Sequence, residues 1–190
     1  MATARKRRRR LSLEQRREEL LQLGLERFAR TPYEEISIEQ IAEEAGISKG
    51  LIYHYFPSKR DYYVAALGVA AGELVARIEA AGDDAAQAFE AYLGFVEERE
   101  PAYRALYRGG VGFDQEVSAI VENCRERILE RIILHAGDVT PAVRNALRGF
   151  IGYVEASVLD WLDHRDLSRQ RLLLSWQNML MVTVQTATSC

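Results

Sequence analysis

Between Leu13 and Lys59 the apolar positions fall into three short helical stripes separated by turn residues. Leu21, Gly24, Leu25 and Phe28 recur at i, i+3, i+4 and i+7 and predict a first helix from about Leu13 to Arg30, closed by Pro32. Ile38, Ile41, Ala42 and Ala45 form a second stripe. Ser37 and Gln40 stand before it as a capping box, and Gly46 follows it where a left-handed residue is needed. Ser48 caps a third segment whose inward side carries Ile52, Tyr55 and Phe56. Pro57 stops that segment, and Ser58 caps a long helix reaching about Ala81, interrupted only by Gly68 and Gly72.

Downstream, breaks at Gly82-Asp83, Glu100-Pro101, Gly109 to Gly112, Gly137 to Pro141 and Asp166 to Ser168 delimit helices near 84–98, 101–108, 114–136, 141–164 and 168–187. The fold class is therefore all-α. Three regions are expected: a basic arm at 1–12, a three-helix unit at 13–60, and a larger helical body at 61–190. In the last two helices the apolar set is broad: Val143, Leu147, Phe150, Ile151, Val154, Val158, Trp161 and Leu162, then Leu173, Trp176, Met179, Leu180 and Val184. Gly149, Gly152 and Ala156 add small residues between them. Such coverage predicts burial on several sides, most economically against a second copy in a two-fold four-helix bundle.

Helix, glycine turn and capped helix together read as a helix-turn-helix, whose second helix enters the DNA major groove by its N-terminal residues. Lys49, Gly50 and Leu51 occupy that tip behind Ser48. Ser37, Tyr53, His54 and Lys59 carry hydroxyl, imidazole and ammonium groups suited to phosphates. Such a site takes Lys49 and Gly50 to base edges and Leu51 to a thymine methyl.

At these residues the chain resembles the tetracycline-repressor (TetR) family of bacterial transcription regulators. The resemblance rests on Phe28, Tyr33, the segment Ile41 to Gly50, the run Tyr53 to Phe56, and Lys59. It covers about residues 13 to 62 in detail and only the helical layout beyond. It implies a homodimeric regulator on a double-stranded, pseudo-palindromic DNA operator, and a small-molecule pocket beside the long helix whose occupation releases a repressor. Members of the family often carry a small or polar residue where this chain has Leu51, so base preference at that position does not carry over. Tyr92, Phe95, Tyr103, Tyr107, Phe113 and Trp161 are the candidate lining of that pocket, which suits an apolar or aromatic ligand. An architectural DNA binder without effector control is the competing reading.

Charge sharpens this picture. The net charge of −3 over 190 residues conceals an asymmetry: residues 1–60 hold 13 Lys or Arg against 9 Asp or Glu, and the remainder 12 against 19. Arg5 to Arg10 are six successive cations, an arm suited to phosphate contact. No apolar run is long enough to span a bilayer and no secretory signal is evident, so a cytoplasmic location is expected. Cys124 and Cys190 suggest neither a disulfide framework nor a metal site, and Cys124 is expected to be buried and inert. The three histidines, His54, His135 and His164, are scattered, and no nucleophile elbow or paired-carboxylate pattern accompanies them. Neither catalysis nor a cofactor is expected.

Overall fold

The computed structural model describes residues 12–110, 114–135 and 139–188. The arm at Arg5 to Arg10, Phe113 and Cys190 lie outside the described residues. Nine α-helices follow one another among the described residues: α1 (Leu13–Arg30), α2 (Ile38–Ala45), α3 (Lys49–Tyr55), α4 (Lys59–Ala80), α5 (Ala85–Glu98), α6 (Glu100–Ala105), α7 (Gln115–His135), α8 (Pro141–His164) and α9 (Arg169–Thr188). A 3₁₀ turn at Tyr33–Glu35 joins α1 to α2. A wider helical turn at Leu106–Gly110 prolongs α6.

Local signals account for the helix ends. Ser12 and Gln15 form a complete capping box at α1: Gln15 N donates to Ser12 Oγ at 3.1 Å, and Ser12 N donates to Gln15 Oε1 at 3.0 Å. The box expected at Ser37 forms only in half. Ser37 Oγ accepts from Gln40 N at 3.3 Å, but its hydroxyl turns to the Glu39 carboxylate. Gly46 adopts the left-handed conformation (φ 62°) that ends α2, and Ser48 and Ser58 cap α3 and α4.

Two groups of buried side chains divide α4 between them. Leu20, Phe28, Ile41, Ile52, Phe56 and Tyr62 knit α1–α3 to the start of α4. Leu74, Ile78, Tyr92, Phe95 and Val158 belong to the larger core, which α5, α6, α8 and α9 share. In the first group, Gly24 is demanded by packing: a Cβ there would lie 2.7 Å from the Tyr62 ring. Tyr62 cannot retreat, because it is fully buried and its hydroxyl donates to the Leu20 carbonyl.

The broad apolar face of α8 does not point outward to a partner. Val143, Leu147, Phe150, Ile151, Val154, Val158, Trp161 and Leu162 are all buried within the chain itself, at most 7% exposed. They are spread around α8 because that helix packs against both α7 and α9. What stays exposed is the small-residue strip Gly149, Gly152 and Ala156, together with Leu174, Met179, Met181 and Val182 on α9.

Candidate functional site: an exposed helix tip and an interior cavity

The tip of α3 stands clear of the body. Ser48, Lys49, Gly50 and His54 are exposed, and Ser37, Leu51, Tyr53 and Lys59 are half-exposed. The helix is held from behind by Ile52 and Phe56, with Tyr55 half-buried beside them. Lys49 is paired with Glu39 on α2 and lies 5.6 Å from the Tyr53 ring centre. The Lys49 hydrogen bond holds the Glu39 carboxyl down at about 2. Lys59 donates to the Glu34 carbonyl at 3.3 Å and sits 4.6 Å above the Tyr33 ring. Arg27 of α1 grips Glu44 of α2 through Nε and Nη2, at 2.8 and 2.6 Å, fixing the angle at which α2 and α3 are presented.

A fork-like ion pair links this module to the body. Arg60, at the start of α4, donates to both Asp114 oxygens at 2.6 and 2.7 Å, and Arg60 also meets Glu116. Asp114 Oδ1 in turn accepts from the backbone N–H groups of Glu116 and Val117 at the start of α7. The Arg60 contact holds the Asp114 carboxyl near 2.

The body holds a half-open cavity of about 490 Å³ lined by α1 and α4–α9. Tyr92, Phe95, Tyr103 and Tyr107 line it. Trp161 does not. Its indole N–H donates to the Leu167 carbonyl at 2.8 Å and the Arg165 guanidinium covers its ring at 3.9 Å, so it closes the α8–α9 turn instead. One end of the cavity is walled by Leu25 and Phe28 of α1 and Tyr63 of α4; the other reaches Ile78, Ile132 and Val184.

Most polar groups along the cavity are satisfied by one another. The Tyr92 and Tyr103 hydroxyls share a hydrogen bond at 2.5 Å, and Tyr107 donates to Glu155 at 2.8 Å. Arg125 holds the Glu155 carboxylate through Nε and Nη2, at 2.9 and 2.6 Å. Burial drives all three phenols far above their ordinary range, so they remain neutral donors. Cys124 is half-buried and also lines the cavity; burial, and then the Glu155 charge, raise its thiol to about 11. Glu155, Arg125 and Arg99 were not expected from sequence, because charged residues within amphipathic helices look like solvated ones until the fold pairs them. No group of three His, Cys, Asp or Glu side chains among the described residues is arranged to hold a metal ion, and no described helix is long and apolar enough to cross a membrane.

Comparison with known proteins decides what this architecture is. The family model "Bacterial regulatory proteins, tetR family" matches residues 20–72, and "Tetracyclin repressor-like, C-terminal domain" matches residues 82–183. The chain belongs to the TetR family. It is thus a DNA-binding transcriptional regulator with an N-terminal helix-turn-helix and a C-terminal helical domain. The HTH-type transcriptional activator FasR of Mycolicibacterium smegmatis is 28% identical over 166 residues, covering 82% of this chain and 76% of that protein. A TetR-family regulator from Streptomyces coelicolor superposes with a TM-score of 0.80 at 28% identity, covering 94% of this chain and 90% of its own. The TetR-like regulator LfrR from Mycobacterium smegmatis, solved in complex with proflavine, shares the fold at a TM-score of 0.58 and 18% identity, over 87% and 95% of the two chains.

Proposed function

We propose that this TetR-family chain is a homodimeric repressor that leaves a pseudo-palindromic operator when an apolar molecule fills the cavity. One observation carries the reading: Phe28 and Tyr63 wall the cavity while belonging to, or packing on, the core that supports α2 and α3, and Leu25 of the same α1 packs on the larger core beside them. A ligand pressing on that wall changes the footing of the helix tip. A coupling of about 3 kcal/mol corresponds to about 150-fold weaker operator binding. LfrR, which holds proflavine, supports a cavity of this kind as a ligand site. FasR is named an activator, so regulatory sign is taken to depend on where the operator lies relative to the promoter. Dimerisation is assigned to the uncovered α8–α9 surface: Leu174, Met181 and Val182 are 47, 62 and 55% exposed beside the strip Gly149, Gly152 and Ala156.

On DNA, Lys49 and Gly50 approach base edges and Leu51 a thymine methyl, while Ser37, Ser48, Tyr53, His54 and Lys59 serve the phosphates. The test is fluorescence anisotropy on DNA flanking the protein's own gene, with the oligomeric state read by light scattering. A dimer that binds one fragment far more tightly than scrambled DNA is expected. Lys59→Ala should weaken all sequences alike and lower the salt slope by about one. Deleting Arg5 to Arg10 should flatten the slope further. A monomer, or equal affinity for every fragment, would favour an architectural role and end this proposal.

A further inference from the structure

Glu39 puts a carboxylate where a DNA reader gains from cations. It is the second residue of α2, and its Oε1 accepts from Nζ of Lys49, the first residue of α3. Its Oε2 accepts from Ser37 Oγ at 3.1 Å, and the Lys49 ammonium also lies 5.6 Å from the Tyr53 ring centre. The Glu39 and Lys49 side chains are 58 and 48% exposed, so their pairing adds little to stability. Against a polyanion the carboxylate weakens binding to every sequence, because like charges brought together repel. That loss is recovered only where a base offers the carboxylate a hydrogen-bond donor.

The pair can take such a base without breaking. An ammonium has three N–H donors, and each carboxylate oxygen has two lone pairs. Lys49 gives one donor to Glu39, while Lys49 and Ser37 each occupy one lone pair of the carboxylate, so both groups keep capacity for DNA. The Glu39 bond and the Tyr53 ring meanwhile hold the long lysine chain in place, which lowers the entropy lost on docking. In the major groove a G·C pair presents two adjacent acceptors, guanine N7 and O6, followed by the cytosine N4 donor. A lysine beside a glutamate matches that order, cation to the two acceptors and carboxylate to the amino group. At an A·T pair the donor, adenine N6, stands between adenine N7 and thymine O4. A carboxylate reaching it there also faces an acceptor on either side.

We infer that Glu39 and Lys49 act as one unit that reads a G·C pair in each operator half-site, Lys49 donating to the guanine and Glu39 accepting from the N4 amino group of the paired cytosine. The inference rests on the tip of α3 entering the major groove of a specific operator. It makes Glu39 a specificity-determining residue, which lowers affinity for DNA in general and sharpens the choice between sequences.

The test selects binding sites from a randomised duplex library with the full-length protein, with Glu39→Ala, with Lys49→Ala and with the double variant, and then measures affinities by anisotropy. The parent is expected to enrich a pseudo-palindrome holding a G·C pair in each half-site. Exchanging that pair for A·T should weaken binding about tenfold per half-site, within the range of one specific base contact. Glu39→Ala and Lys49→Ala should each cut that preference about threefold or more, both at this same position. The double variant should cut it by less than the product of the two single effects, as expected of side chains that act together. Tighter binding of Glu39→Ala to every sequence alike, with the G·C preference intact, would reduce Glu39 to a repulsive charge and overturn the inference. So would effects of the two variants at different positions, single effects that multiply in the double variant, or an A·T pair at the shared position. In each of those cases the enriched operator itself still stands. A parent that enriches no sequence removes the operator and the G·C contact together.

Discussion

Around Tyr62 the side chains of α1–α4 leave no room for one methyl group at Gly24, whereas two turns further along the same helix Ala70, Leu74 and Ile78 border about 490 Å³ of open space. Both regions are assembled from Ala, Leu, Ile and aromatic residues. The rings meet at similar spacings in both, since Tyr92–Tyr103, Tyr92–Trp176 and Tyr103–Tyr107 lie 4.6–6.4 Å apart. The difference lies in what they leave between the helices. In the module that carries α3, Phe28, Tyr33, Phe56, Tyr62 and Tyr63 stack or meet edge-on at 4.6–6.5 Å and fill the space between helices. In the body, Tyr92, Tyr103 and Tyr107 gather along one wall and tie their hydroxyls to each other and to Glu155. A reader of base edges needs a rigid mount, and a receptor needs a volume it has not filled for itself.

Matched substitutions in the two regions should give opposite results. Ala42→Leu places three more carbons in the solid core, where Ala42 is 3% exposed, and should cost about 3 kcal/mol in chemical denaturation. Ala70→Leu projects the same group towards the cavity. It should change stability by less than about 1 kcal/mol, while blunting any ligand response. Equal losses at both sites would mean that the cavity closes in solution.

Cys124 reports on how dry that cavity is. With its thiol near 11, it should react with iodoacetamide at pH 8 about a hundredfold more slowly than a free cysteine, and tenfold faster for each pH unit gained below 11. Site-resolved mass spectrometry separates it from Cys190. Rapid labelling at neutral pH would show a wet interior.

Helix glycines offer a smaller contrast. Gly24→Ala should lower the melting temperature, because the Tyr62 clash, about 1–3 kcal/mol, exceeds the gain in helix propensity. Nothing lies within 4 Å of a Cβ at Gly68 or Gly72, so alanine there should raise stability by up to about 1 kcal/mol.

The smallest effect concerns the ion pair that joins the two regions. Asp114 titrates near 2 in the folded chain, below its ordinary value of 3.8, so its contribution is present above about 3.8 and is lost as the pH falls towards 2. The difference in melting temperature between the parent and Asp114→Asn should shrink across that window. A difference that stays constant down to pH 2 would argue against the Arg60 pair.

The helical layout was legible because each element is bracketed by short-range signals: serine caps, a left-handed Gly46, prolines after α1 and α3. The helix tip was legible for the same reason, since Ser48, Lys49 and Gly50 are neighbours in sequence. The cavity was only partly so. Tyr92, Phe95, Tyr103 and Tyr107 stood out as aromatics, but Trp161 looks identical in sequence and turns the other way, committed to the Leu167 carbonyl. Arg99 and Glu155 gave no signal because their meaning depends on partners 26 and 30 residues away. The breadth of apolar positions on α8 was real, but the chain covers them itself. Charge needed refinement too: Arg5 to Arg10 supply six of the thirteen cations before residue 61, leaving seven against nine carboxylates in the module proper. Its positive character is confined to the arm and to individual side chains such as Lys49 and Lys59.

Phe28 belongs at once to the packed mount of the reading helices and to one end wall of the chamber. Heritable change is therefore unequal along the shaft. Near Phe28, reshaping the chamber to suit a new compound also shifts the reading head, whereas Ile132 and Val184 at the opposite limit can be exchanged without touching it. New chemical tastes should arise from the far end inward, with the address on the chromosome left intact.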